Sequence, residues 1–171
     1  MLIIYGDILE IKKRHDLSKS EVRKLFRNIK EFEEVSLDQK KGRYEICETD
    51  KDVALILFNG EPYFLQKGEL LMPSLKLFLK NDVREINNRV IVDMGAIRYV
   101  TNGADIMRPG IVDIDEDIRP ESFVVIGDEM HGKPLAIGIS IYSGREILEK
   151  KSGKVIRNIH FVGDNIWNLE I

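Results

Sequence analysis

The residues best suited to chemistry in this chain run from Asp93 to Gly110, where Gly95, Gly103, Ala104 and Pro109-Gly110 punctuate a short apolar stretch carrying Arg98 and Arg108. The order reads as strand, helix, tight turn, strand. Gly95 admits a sharp start to the helix, Gly103 suits a left-handed conformation at its end, and Pro109-Gly110 makes a second turn. Gly103-Ala104 also leave the backbone uncovered. Bare amides beside Arg98 and Arg108 would let a phosphodiester chain approach closely, with amides and guanidinium groups donating to phosphate oxygens. A purely structural turn would account for the same residues equally well.

Bond-breaking chemistry has less support. It needs a nucleophile, a base and orienting groups, or a cluster of metal ligands. The chain has no P-loop, no Gly-x-Ser-x-Gly elbow and no His-Glu-x-x-His. His15, His131 and His160 lie in separate segments without metal-ligand spacing. The run Asp113-Ile114-Asp115-Glu116-Asp117 lacks the glycine and glutamate of a calcium-binding EF-hand loop and reads as a solvated acidic turn. No enzymatic activity, cofactor or metal is expected.

Composition is that of a folded domain or two: 171 residues, 43% hydrophobic and 32% charged. No apolar run approaches the roughly 20 residues of a membrane-spanning helix, and the opening Met1–Tyr5 run is too short for a secretory signal. A cytoplasmic protein without a membrane partner is expected. The single cysteine, Cys47, excludes an intramolecular disulfide and, lying within an apparent strand, reads as a buried structural thiol. A net charge of −3 argues against a phosphate-bearing partner until its distribution is considered. Residues 10–30 hold eight Lys or Arg against three acids and residues 143–160 hold five against two, whereas residues 111–129 hold seven acids and only Arg119. Such segregation allows RNA to dock on one side.

The elements that must position these groups can be read in order. A strand is predicted over Ile8–Lys12. Ser18 and Glu21 form a capping box, and Val22, Leu25, Phe26 and Ile29 follow at helical spacing. Lys19, Arg23, Arg27 and Lys30 make a second stripe on that helix, either a solvated face or a second RNA contact. Asn59-Gly60 joins Val53–Phe58 to Tyr63–Leu65 in a β-hairpin of type I′, with Pro62 placing the second strand at an edge or delaying its start. Met72-Pro73-Ser74 leads into a short helix over Leu75–Leu79. From Arg89 the texture becomes short apolar strands punctuated by glycine: Val90–Val92, Ile111-Val112, Phe123–Ile126, Leu135–Ser140 and Ile159–Val162, with helices at Ala96–Val100 and Arg145–Lys150. The expectation is an α+β N-terminal domain over 1–88, followed by a small mixed β-barrel with short helices over 89–171.

The Asp93–Gly110 segment resembles the signature of the PUA domain, named for pseudouridine synthases and archaeosine transglycosylases. In that family a helix, a Gly-Ala turn and the following strand form one wall of an RNA groove. Asn158–Trp167 looks like the closing strands of the same domain, which form the other wall. The resemblance implies RNA-binding roles for Gly95, Arg98, Asn102, Gly103, Ala104, Asp105, Met107, Arg108 and Gly110, joined by Arg157 and His160. Trp167, Tyr99 and Tyr63 read as packing residues, although either tyrosine could stack on an unpaired base. A C-terminal PUA domain after a compact α+β domain resembles the malignant-T-cell-amplified-sequence family, with Asn59–Phe64 and Met72–Leu77 carrying the likeness in the first half. The Lys/Glu-rich character suggests an archaeal member. Membership implies a non-catalytic, translation-associated factor that contacts structured RNA, either rRNA of the small ribosomal subunit or tRNA, and not DNA. In eukaryotic members the density-regulated protein is the partner. The alternative is an RNA-binding accessory subunit for a tRNA or rRNA modification enzyme.

Overall fold

A computed structural model describes residues 9–27 and 41–169. Two compact units divide between Pro73 and Ser74, and again between Trp167 and Asn168. In the first, β1 (Ile11–Asp16), β2 (Tyr44–Thr49), β3 (Ala54–Phe58), β4 (Glu61–Lys67) and β5 (Leu70–Pro73) form an antiparallel meander in chain order, with α1 (Lys19–Arg27) inserted after β1. β1 runs past Lys12, the end of the strand predicted at Ile8–Lys12, and leaves out Leu9 and Glu10, while Ile8 lies outside the described residues. Its pairing with β2 runs from Ile11 opposite Thr49 to Asp16 opposite Glu45, so the ladder, not the weak apolar alternation, sets its limits.

The capping box forms as expected: the Ser18 amide donates to Glu21 Oε2 at 2.8 Å and the Glu21 amide to Ser18 Oγ at 3.3 Å. Val22 is buried, and Phe26 meets Tyr44 and Phe64 edge-to-face with ring centroids 5.7 and 5.9 Å apart. Ile29 and Lys30 lie outside the described residues. The hairpin turn is of the mirror-image kind, Asn59 and Gly60 both having positive φ (49° and 87°), which matches the twist of the flanking strands. Pro62 lies inside β4. It pairs with Leu57 next to a register shift, beyond the Phe64–Lys67 stretch that β5 covers, so the missing N–H breaks no ladder on that side. Cys47 is fully buried and burial pushes its thiol pKa up, as a structural thiol requires.

The second unit is a six-stranded mixed sheet that curls into a nearly closed barrel. Its strands are β6 (Arg89–Val92), β7 (Ile106–Met107), β8 (Ile111–Ile114), β9 (Phe123–Asp128), β10 (Pro134–Ser140) and β11 (Lys154–Phe161), in the order β7-β11-β10-β9-β6-β8. All neighbours run antiparallel except β6 and β9. β9 and β10 are buried along their length, which explains their near-continuous apolar sequence. Two short helices, α2 (Ile97–Val100) and α3 (Gly144–Glu149), close the barrel core through Val100 and Ile147. Five predicted strands and both helices are present within a few residues of their expected limits. β7 was not predicted, being two residues long, and β11 starts five residues before Ile159. The segment before Arg89 belongs to this unit: 3-10 turns at Leu75–Phe78 and Val83–Glu85 pack on β10 and on β6 and β9. Ser74 caps the former, its hydroxyl accepting from the Lys76 amide.

Asp128 closes the β9–β10 turn, its carboxylate accepting from the amides of His131 (2.6 Å) and Lys133 (2.9 Å). Burial pushes its pKa up, but the His131, Lys133 and Met130 amides hold it down more strongly, leaving it below the ordinary 3.8. A folded-state value below the unfolded one gives stability that is present above about pH 4 and is lost as pH falls through the depressed value. Asp128→Asn can satisfy only one amide with an oxygen acceptor and should cost about 1–3 kcal/mol in urea unfolding at pH 7. At a pH below the depressed value the gap between parent and variant should narrow. A gap that widens on acidification would contradict this assignment.

Candidate nucleic-acid interface

The Asp93–Gly110 segment folds back on itself, and its ends are tied by the Asp93 amide donating to Gly110 O at 2.9 Å. Asp93 Oδ1 accepts from the Ala96 amide at 2.8 Å, closing the turn that leads into α2. α2 is closed by the Gly103 amide donating to Val100 O and the Ala104 amide donating to Tyr99 O, both at 3.0 Å, the paired bonds of a Schellman stop. Gly103 has φ +85°, and a Cβ there would lie 2.8 Å from the Phe161 ring, so conformation and space both require glycine. From the opposite side Asn158 of β11 clamps this turn. Its Nδ2 donates to the carbonyls of Val100 and Ala104, each at 3.0 Å, and its amide donates to Asp105 Oδ1 at 2.9 Å.

Between α2 and the β7 strand lies a mostly apolar cleft of about 390 Å³. Gly95, Ala96, Ala104 and Gly110 give it shallow walls, Tyr99 and Met107 stand at its surface, and Asp93 and Asp105 supply carboxylates. Tyr99 is 54% exposed and Met107 50%. Arg98 is exposed and turns onto its neighbour: its guanidinium carbon lies 4.7 Å from the Tyr99 ring centroid, and Nη2 donates to the Tyr99 hydroxyl at 2.6 Å. Lys154 reaches Asp105 at 3.2 Å on the β11 side.

The sequence-based site thus divides. Gly95, Ala104, Asp105, Met107 and Gly110 line the cleft, Gly103 shapes it, and Asn102 and Arg98 are exposed beside it. Three expectations need correction. Arg108 was expected to face phosphate, but its Nε donates to Ile147 O (2.6 Å), its Nη1 to Ile111 O (3.2 Å) and its Nη2 to Leu148 O (3.5 Å), so it caps the C-terminal end of α3. His160 was expected on the groove wall but is fully buried, Nδ1 bonded to Asp164 Oδ2 at 2.8 Å. Tyr99, read as a packing residue, is exposed, whereas Tyr63 is 6% exposed and does pack. Arg157 is partly exposed and ion-paired with Glu121. Sequence reasoning gave Asn158 no role. The one available signal was a polar residue, in an apolar closing strand, able to satisfy carbonyls left free at a helix end.

On the first unit, Lys19, Arg23 and Arg27 are exposed on α1 and make no ion pair with a described carboxylate, Arg23 Nε donating instead to Lys19 O. Arg14 pairs with Glu45, and Arg43 pairs with Asp16 at 2.7 Å and with Glu45 at 3.1 Å; Glu45 is buried and its carboxylate is held below the usual range first by the Arg14 hydrogen bond. Among the described residues no three His, Cys, Asp or Glu side chains gather as metal ligands would.

Arg98 and Arg108 should separate cleanly by mutation. Arg108→Ala, stripping α3 of a charged cap, should lose about 1–3 kcal/mol in urea unfolding, whereas Arg98→Ala, at an exposed position, should stay within about 0.5 kcal/mol of the parent. Equal stability for the two variants would mean that the Arg108 bonds contribute nothing to the fold.

Residues 88–162 match the PUA domain, and residues 13–81 match a domain of unknown function (DUF1947). An uncharacterized protein of Methanocaldococcus jannaschii, MJ1432, is 45% identical, covering 95% of this chain and 99% of its own length. Translation machinery-associated protein 20 of Saccharomyces cerevisiae is 35% identical over 86% of this chain and 85% of its own. The Malignant T-cell-amplified sequence 1 homolog of Drosophila melanogaster is 33% identical over 75% and 72%. Among solved structures, a hypothetical protein, PH0734.1, from the archaeon Pyrococcus horikoshii superposes with a TM-score of 0.81 at 37% identity, covering 91% of this chain and 98% of that one. With its PUA domain following the DUF1947 region, the chain belongs to the family of translation machinery-associated protein 20 and the malignant T-cell-amplified sequence proteins.

Proposed function

We propose that this chain is a non-catalytic RNA-binding protein of translation, acting in the cytoplasm on structured RNA of the small ribosomal subunit or on tRNA bound there. The observation that carries the reading is the Asp93–Gly110 cleft. It is a surface of small residues, bare backbone and an exposed Arg98-Tyr99 pair, in the segment that resembles one wall of the RNA groove of PUA domains. The names of the yeast and fly relatives support the translation context. In this reading the RNA-binding domain, expected from the sequence over 89–171, is the second compact unit, Ser74–Trp167. Gly95, Arg98, Asn102, Gly103, Ala104, Asp105, Met107 and Gly110 form or border the contact surface. Arg157 joins them by exchanging Glu121 for a phosphate, since an exposed ion pair is worth at most about 1 kcal/mol. Arg108 and His160 serve the fold.

Lys19, Arg23 and Arg27 provide a second, sequence-independent contact to RNA backbone. They are exposed cations on one face of α1, the arrangement that neutralises phosphates and releases counterions.

Purified protein should co-sediment with small ribosomal subunits, and the affinity should fall as salt rises. Replacing Lys19, Arg23 and Arg27 together by glutamine should weaken binding and make the log–log salt slope shallower by about two to three units, at 0.7–0.9 per lost phosphate contact. Binding to free tRNA with none to subunits would favour the accessory role in RNA modification. An unchanged slope in the triple variant would remove α1 from the interface.

A further inference from the structure

We propose that the first compact unit carries a pocket for a small phosphorylated ligand of the nucleoside diphosphate or triphosphate class, held by Lys19, Arg23, Lys41 and Arg43. This is a further site, and its ligand does not depend on RNA being bound elsewhere. The pocket, of about 690 Å³, opens where the end of β1, the first turns of α1 and the start of β2 come together. Backbone bonds set this junction. The Leu17 amide donates to Tyr44 O at 2.8 Å, and the Asn59 amide to Arg43 O at 2.8 Å. Gly42 stays small because a Cβ there would strike the Phe58 ring, so the chain between Lys41 and Arg43 lies close on the β3–β4 hairpin.

Four cations line the pocket against one carboxylate, Asp16. Lys19, Arg23 and Lys41 make no ion pair with a described carboxylate. Arg43 is paired with Asp16 on the surface, the two side chains being 63% and 64% exposed, and such a pair is so weak that a phosphate can take the carboxylate's place. The 3.1 Å contact of Arg43 Nη2 with buried Glu45 then keeps the guanidinium at the rim. Cations gathered on one cavity repel one another until a ligand with several negative charges arrives. Beneath this rim the lining is apolar: Leu17 is half-buried, with Val22 and Tyr44 behind it. The volume lies within the roughly 300–1,000 Å³ usual for small-ligand sites, and a lone phosphate ion would leave most of it, and the apolar floor, facing water. A nucleoside polyphosphate brings clustered charge for the rim and a base and sugar for the floor. With Asp16 as the one carboxylate among the described lining residues, the phosphate charge is met by side-chain cations and calls for no divalent ion.

The α1 stripe and the pocket overlap without coinciding. Lys19 and Arg23 belong to both, Arg27 does not line the pocket, and Lys41 lines it but lies outside the helix. Isothermal titration of the full chain with ADP, in buffer containing EDTA, should show one site per chain. Inorganic phosphate and adenosine should each bind at least about tenfold more weakly. Lys41→Gln should weaken ADP binding about tenfold, as losing one charge-assisted hydrogen bond does, and leave binding to small ribosomal subunits at the parental level. Arg27→Gln should do the reverse. Both residues are exposed, so both variants should keep the parental unfolding midpoint. Because Lys19 and Arg23 serve both ligands, saturating ADP should weaken subunit binding by the parent. No saturable ADP binding up to about 1 mM, or ADP binding that Lys41→Gln leaves unchanged, would overturn the pocket and leave the RNA-binding reading standing. Inorganic phosphate binding as tightly as ADP would overturn the nucleoside part of the assignment. ADP binding that depends on Lys41 in a protein that binds neither subunits nor tRNA would overturn the RNA-binding reading and leave the pocket.

Discussion

The cleft depends on one close contact, the packing of the Gly103 turn against β11. A short helix of four residues has more free backbone groups than internal bonds, so α2 cannot hold itself together. It is held from outside. Asp93 closes the turn before it, Phe161 leaves room for nothing larger than glycine at position 103, and Asn158 Nδ2 donates to the carbonyls of Val100 and Ala104 at its end. Each such bond contributes on the order of 1 kcal/mol net, but leaving those carbonyls unmet would cost up to about three times as much. Tyr99 and Arg98 sit on this helix, so the spacing of Asn158, Phe161 and Gly103 places the cleft although none of the three lines it.

Charge explains less of the interface than the sequence suggests, because most cations of the second unit are already engaged. Arg108 caps α3, Lys154 meets Asp105 and Arg157 meets Glu121. The engagements differ in kind. Exposed ion pairs such as those of Lys154 and Arg157 are nearly neutral in energy, so a phosphate can replace the carboxylate at little cost, whereas the three carbonyl bonds of Arg108 are part of the fold. The cleft itself offers shape, an aromatic face and backbone. The exposed cations of α1 lie on the other compact unit.

Much of this was legible in the residues. The capping box at Ser18 and Glu21, the Asn59-Gly60 hairpin and the Gly103 helix stop are local signals, and local geometry decides them. The apolar strands of the second unit were legible because burial on both faces leaves continuous hydrophobic runs. What could not be read depends on partners distant in sequence. Arg108 finds two of its three carbonyls 39 and 40 residues away, and Asn158 finds its own 54 and 58 away. His160 looks like any polar residue in a strand until the fold seals it beside Asp164, and Tyr99 looks like core until the helix turns it out. Two residues of strand at Ile106-Met107 carry no periodicity at all, and only pairing with β11 defines them.

The most direct test of the account is to record amide NMR spectra of the protein while titrating a short single-stranded RNA. Shifts concentrated at Tyr99, Ala104, Asp105, Met107 and Lys154, with the amides of β9 and β10 unmoved, are what a cleft-centred interface predicts. Shifts confined to α1, or spread over the chain without the cleft residues, would contradict it.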